Sequence, residues 1–152
     1  MKNLYIYCEG ATEESFINRV LYPYLFNSKI CAKPIICTTK RTKTEKFKGG
    51  VREYEKIKRE LTILCKQHKT EMVTTMFDYY GLPGNTSACN DTSEHINDST
   101  DTAPSKRLEK LIPCYAKVSD GTIVSAHIGI DTIVKECKHF SEWISKIQKL
   151  AI

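Results

Sequence analysis

The chain reads as an α/β protein: a mostly parallel sheet in the strand order 2-1-3, three-layered, with flanking helices and a small helical C-terminal part. Three observations predict this. Strand-length apolar runs at 2–8, 34–38 and 71–77 alternate with two helical patterns, giving β-α-β-α-β. The first run is apolar or aromatic on both sides, with Leu4, Ile6 and Cys8 on one and Tyr5 and Tyr7 on the other, as a central strand covered on both faces requires. Past position 102 the remainder reads as short helices.

The first strand stops on Glu9-Gly10, and a helix starts two residues later. Thr12 is its expected N-cap, and Glu13 and Glu14 suit the positive end of its dipole. Phe16, Ile17, Val20, Leu21 and Tyr24 recur at helical spacing, and Pro23 is expected to kink or end the helix late. The second strand, Pro34-Ile35-Ile36-Cys37-Thr38, carries a proline and so belongs at a sheet edge. A basic loop follows and closes on Lys48-Gly49-Gly50. The clearest helix is 51–68, with Val51, Tyr54, Ile57, Leu61 and Leu64 in one stripe and Arg52, Glu53, Glu55, Lys56, Lys58 and Glu60 mostly elsewhere.

The third strand, 71–77, ends on Asp78-Tyr79-Tyr80-Gly81-Leu82-Pro83-Gly84, again an acid at a strand terminus before a turn. From 84 to 102 Asn, Asp, Ser and Thr dominate, which marks a polar loop or disordered segment. Pro104 opens a short helix near its first position. Further helices are expected at 122–128, ending at Gly129, then at 131–138 and 141–150. Phe140, Trp143, Ile144, Ile147 and Leu150 are the expected anchors of the last. The organisation is one domain over 1–152, with an α/β core (1–83), a polar loop (84–102) and a helical part (103–152).

A chain of 152 residues that is 41% hydrophobic and 27% charged fits a soluble globular domain. No apolar run reaches the length of a membrane span and no signal-peptide pattern is present, so a cytoplasmic location without a membrane partner is expected. The seven cysteines are odd in number and lack any C-x-x-C pair, and Cys8, Cys37 and Cys65 sit in apolar runs. Reduced, mostly buried thiols are expected rather than disulfides or zinc. Cys65/His68 and Cys137/His139 have no second half of a zinc site. The chain contains neither a G-x-S-x-G elbow nor a G-x-x-x-x-G-K-[ST] loop, which argues against a serine hydrolase and a triphosphate site. The net charge of +5 is unevenly placed: Lys40, Arg41, Lys43, Lys46 and Lys48 crowd one segment, opposed only by Glu45. Such a loop suits a polyanion, nucleic acid above all. A solvated loop is the alternative that charge alone leaves open.

Ligands of open α/β sheets bind at the carboxyl ends of the strands. With strands one and three adjacent, Glu9 and Asp78 share one rim, on strand axes about 4.8 Å apart. Two carboxylates near 4 Å repel by roughly 1 kcal/mol in water and about 4 kcal/mol at an effective dielectric of 20. A shared proton or a bound cation relieves this. Magnesium fits, since it takes one or two carboxylates, keeps waters and completes its shell with phosphate oxygens. Glu9 is then the candidate general acid or base and Asp78 the candidate metal ligand. Acids at strand ends also cap turns, and the helix dipole by itself accounts for Glu13 and Glu14.

Tyr5-Ile6-Tyr7-Cys8-Glu9-Gly10-Ala11-Thr12-Glu13 resembles the opening hhhh-E-G-x-T-E motif of TOPRIM-like proteins. More narrowly, several stretches resemble the bacterial family labelled domain of unknown function 4276. They are Thr39-Lys40-Arg41, Phe47-Lys48-Gly49-Gly50, Thr74-Thr75-Met76-Phe77-Asp78-Tyr79-Tyr80-Gly81-Leu82-Pro83, Ile96-Asn97-Asp98, Thr102-Ala103-Pro104-Ser105-Lys106-Arg107-Leu108 and His139-Phe140-x-x-Trp143. The resemblance implies a single TOPRIM-like domain in which the glutamate after the first strand does acid–base chemistry and an Asp-x-Asp after a later strand binds magnesium. Those roles fall on Glu9 and Asp78, with Glu13, the closing acid of the opening motif, as a further candidate metal ligand. Magnesium or manganese is the implied cofactor, and Lys40, Arg41, Lys46 and Lys48 are the candidate nucleic-acid contacts.

Relatives of this type include topoisomerases, primases and overcoming-lysogenisation-type nucleases, some of which act beside ATPases in phage defence. The expected function is therefore a magnesium-dependent nuclease, with an ATPase as candidate partner. The chain departs from the pattern twice. Tyr80 stands where TOPRIM enzymes carry the second aspartate, a loss usual for the narrower family. Only the polar run 84–94 joins Leu82-Pro83 to Ile96-Asn97-Asp98, where family members carry a longer middle portion with a stretch resembling Q-x-H-E-F-E. The alternative reading is thus a shortened, inactive subunit that binds nucleic acid or an ATPase. A plain α/β scaffold is the third.

Overall fold

The computed structural model describes residues 1–37, 54–77 and 104–151. Strand β1 (Lys2–Cys8) lies at the centre of a three-stranded parallel sheet, between β2 (Ile30–Ile36) and β3 (Met72–Met76). The order is β2-β1-β3, as the sequence predicts. Cys8 pairs with Ile36 on one side and Met76 on the other, so all three strands end together on one rim.

Between β1 and β2 the chain forms α1 (Ala11–Phe16), a π-helical turn (Ile17–Leu21) and α2 (Tyr22–Phe26). Helix α3 (Tyr54–Gln67) joins β2 to β3. The C-terminal part is helical: α4 (Pro104–Leu111), α5 (Lys117–Ile128), α6 (Ile130–Glu136) and α7 (Lys138–Ala151). Gly129, at φ 79°, closes α5 and opens α6, a backbone angle that favours glycine. Among the described residues no helix is long and apolar enough to cross a membrane.

The two faces of β1 divide the core as its alternation dictates. Leu4, Ile6 and Cys8 pack with Ile17, Leu21 and Leu25 from the first helical segment and with Ile144 and Ile147 from α7. Tyr7 packs on the opposite face with Ile57 and Leu64 of α3, flanked by Tyr5, Leu61 and Phe77. Each fully buried Leu or Ile here contributes roughly 1.5–3 kcal/mol. The helices must lie on opposite faces: β2 is to one side of β1 and β3 to the other, so two crossovers of the same hand cover different faces. Pro34 sits in β2, an edge strand among the described residues, where its missing N–H leaves no gap in the ladder.

Three expectations need correction. The N-cap of the first helix is Gly10 rather than Thr12, because Glu13 reaches back to the cap. At Pro23 the expectation of a late break stands: the helix leaves α geometry just before it and ends at Phe26, three residues on. A proline lacks the N–H that regular α-helix requires, and its ring crowds the carbonyl four residues back. One residue before it, Tyr22 N–H bonds the carbonyl of Ile17, an i→i−5 step, and the helix runs on to Phe26. Leu150 is no anchor of α7, being 66% exposed, while Ile144 and Ile147 are buried. Of the described cysteines all are free thiols, but only Cys8 is buried, and Cys65 and Cys114 are exposed.

Candidate functional site

Strand β1 delivers Glu9 to the rim immediately after Cys8. Glu9 is half-buried, and its Oε2 is shut off from solvent. Gly10 follows in extended conformation and caps α1. Glu13 Oε2 accepts the Gly10 N–H at 2.9 Å, and Gly10 C=O accepts the Glu14 N–H at 3.1 Å. One oxygen of Glu13 is therefore committed to the backbone beside Glu9. Both Glu13 and Glu14 stand in the first turn of α1, where the helix dipole favours them.

Cys8 faces the first helical segment, and its thiol donates to Ile35 C=O at 3.6 Å. Burial first, then the carboxylates of Glu13 and Glu14, push this thiol up to about 11. It is thus a neutral thiol near pH 7, and oxygen donors are what this rim offers a cation.

Beneath the rim on the α3 face, the Tyr7 hydroxyl donates to a carboxylate oxygen of Glu60. Tyr7 is only 2% exposed, and Phe77 meets its ring edge-on at 5.6 Å. Burial, then contacts with Cys37 and Glu60, hold its hydroxyl far above the ordinary phenol range. Cys37 N–H bonds Cys8 C=O at 2.8 Å, extending the β1–β2 ladder to the rim. Lys56 Nζ lies 3.9 Å from the other oxygen of Glu60. Sequence reasoning placed Glu60 off the apolar stripe and missed this pair. The signal was present, because Glu60 follows Ile57 by three and precedes Leu64 by four, positions that share a helix face.

Asp78, Lys40, Arg41, Lys46 and Lys48 lie outside the described residues, as do Tyr79-Tyr80, Lys48-Gly49-Gly50 and the polar run 84–102. What the sheet does supply is adjacency of the strands that lead to Glu9 and Asp78, since Cys8 and Met76 are register partners. Among the described residues no three His, Cys, Asp or Glu side chains gather to hold a metal ion. Cys65/His68 is not half of a zinc site: Cys65 is exposed, while His68 stacks on Tyr5 at 3.7 Å and meets Glu71 at 2.6 Å through Nδ1.

A family model described as a domain of unknown function, DUF4276, matches residues 8–93 and 83–148. The chain belongs to the DUF4276 family. No curated protein and no solved structure matches it. Within the DUF4276 match, both Glu9 and the α3 acid Glu60 fall in the first stretch, and Trp143 falls in the second. The two stretches overlap at 83–93, at the start of the polar run that joins the core to the C-terminal helices.

Proposed function

We propose that this protein is a TOPRIM-like, magnesium- or manganese-dependent phosphodiester enzyme of the nuclease type. Glu9 serves as general acid or base, and Asp78 as metal ligand. The observation that carries the reading is the position of Glu9, at the carboxyl end of the central strand of a 2-1-3 parallel sheet, where such folds bind ligands. The parallel pairing of β1 with β3 supports a shared rim for the two acids. The donor chemistry fits a hard cation: the rim thiol is protonated, and the remaining donors are carboxylates.

Glu9, Asp78 and the second oxygen of Glu13 would hold the ion, which when bound polarises the phosphodiester. Glu9 moves the proton of the attacking or leaving oxygen, and its half-buried setting limits competing water. Lys40, Arg41, Lys46 and Lys48 hold the phosphate backbone. A role in phage defence beside an ATPase belongs to the same proposal and rests on the family resemblance.

Incubating purified protein with plasmid DNA and with single-stranded RNA tests this. Nicking is expected with magnesium or manganese and not with EDTA, and Glu9→Gln or Asp78→Asn should reduce it at least 100-fold. Undiminished nicking by the double variant would remove the assignment.

A second reading, an inactive nucleic-acid- or ATPase-binding subunit, is favoured by the family match falling into two overlapping stretches at the place where the middle portion is short. Binding that survives Glu9→Gln and Asp78→Asn, yet fails when Lys40, Arg41, Lys46 and Lys48 are neutralised, would select it.

A further inference from the structure

Helix α3 covers the sheet with Ile57 and Leu64, yet a shallow cavity of about 500 Å³ runs along its flank. Half-buried Leu61 and exposed Cys65 line one side next to the edge of buried Ile57, spaced four residues apart, and exposed Lys58, Thr62 and Lys66 form a parallel row one residue on. Lys69, in the turn after the helix, closes the end. At 1.5 Å per residue these rows extend roughly 15 Å, the length of three helical turns. The floor is apolar, and the lining carries three lysines and no acid. Of the acids near it in sequence, Glu55 stands three residues before Lys58 at the start of the helix, Glu60 holds the Tyr7 hydroxyl, and Glu71 accepts from Asn3 Nδ2 at 2.5 Å and meets His68. The groove thus pairs an apolar strip with lysines that form no ion pair among the described residues.

We infer that this groove is a docking site for a partner protein's amphipathic helix, one with apolar residues at i, i+4 and i+8 flanked by Glu or Asp. The apolar strip takes the helix stripe, as helix-in-groove recognition does, and the lysines set its register and reject basic segments. A nucleic-acid backbone would use the lysines but leave the apolar floor without a purpose, which is why a peptide is the occupant. The inference stands apart from the catalytic reading.

The probe is a fluorescein-labelled 16-residue synthetic helix with leucines at those positions and glutamates beside them, followed by anisotropy against the full chain. Micromolar binding is expected. Replacing the peptide's glutamates by lysine, or its leucines by serine, should weaken it at least tenfold. Lys58→Glu/Lys66→Glu/Lys69→Glu should do the same, as should Thr62→Arg, which fills the groove from an exposed position and leaves the core untouched. Bound peptide should also slow alkylation of Cys65 but not of Cys114. The idea fails if both variants bind the peptide like the parent, or if the serine peptide binds equally well. It also fails if duplex DNA displaces the peptide and loses its own binding in the triple lysine variant, because the surface would then read phosphate.

Discussion

Trp143 of α7 donates its indole N–H to Oγ1 of Thr74 in β3 at 2.9 Å, tying the helical C-terminal part to the strand that leads to Asp78. The two residues are 69 apart in sequence. Together with Ile144 and Ile147 in the core on the same side of the sheet, this bond makes α7 part of the α/β core rather than an appendage. Thr74→Val keeps the shape and removes the acceptor, leaving the half-buried indole N–H without this bond. A loss of about 1–2 kcal/mol is expected in urea unfolding. Trp143 is the sole tryptophan, so its fluorescence reports directly on α7. An emission shift in the variant under native conditions would show the helix lifting locally, whereas an unchanged midpoint would show the bond to be dispensable.

Tyr7→Phe tests the link between β1 and α3. The ring and its contacts with Ile57 and Leu64 remain, but Glu60 loses its donor. A hydrogen bond to a charged group contributes about 1.5–3 kcal/mol, and that loss should appear in the urea midpoint. In the parent, the Tyr7 hydroxyl is held far above the ordinary phenol range by burial and by Cys37 and Glu60, so it should stay protonated through alkaline titration until the chain unfolds. Absorbance near 295 nm, compared between parent and variant, checks this. Titration of the same number of tyrosines in both proteins before unfolding is the expected result.

Much of this architecture is legible in the sequence because it rests on periodicity. The two-sided character of 4–8 forces β1 to the centre, Pro34 forces β2 to an edge, and the Ile57, Leu61, Leu64 stripe faces the sheet. What stayed hidden depends on local competition or on partners distant in sequence. Thr12 has the better N-cap side chain, but Glu13 satisfies the Gly10 N–H from within the helix, so the helix starts two residues earlier. Pro23 has a breaker's signature, and only the π-helical turn before it shows how the break is made. Leu150 continues the α7 pattern but projects past the core that Ile144 and Ile147 fill. For the site, Glu9 was legible as an acid interrupting an apolar strand. Glu60 carried a signal in its spacing from Ile57 and Leu64, but a charge beside an apolar stripe reads as solvated until the buried Tyr7 hydroxyl is seen to need it.

Glu71 predicts an acid-side pH dependence. Its carboxyl is held below the usual range, first by the donated hydrogen bond from Asn3 Nδ2 and then by His68. A depressed folded value means the fold favours the ionised form. That stability is present above the ordinary carboxylate range and is lost as pH falls through the lower, folded value. Glu71→Gln should therefore melt below the parent at pH 7, and the gap should close as the pH drops below about 4. Thermal melts from pH 7 to pH 3 measure it. A gap independent of pH would assign the effect to packing rather than charge.

Cys8 predicts the opposite limb. Its thiol is raised from 9.0 to about 11 by burial and by the neighbouring carboxylates, so the folded chain holds a proton that the unfolded chain releases. Stability from this group is whole below pH 9 and falls as pH rises toward 11, with a slope of at most about 1.4 kcal/mol per pH unit. Cys8→Ala loses packing at every pH but should fall less steeply across that window, measured by urea midpoints at half-unit steps. The same burial governs reactivity, since the thiolate is the attacking species. Iodoacetamide at pH 8 should modify exposed Cys65 and Cys114 within minutes and spare Cys8 until denaturant is added, as peptide mass mapping would read. Early modification of Cys8 in the folded chain would mean that the seam between β1 and the first helix opens on that timescale, and the slope in alkali should then vanish with it.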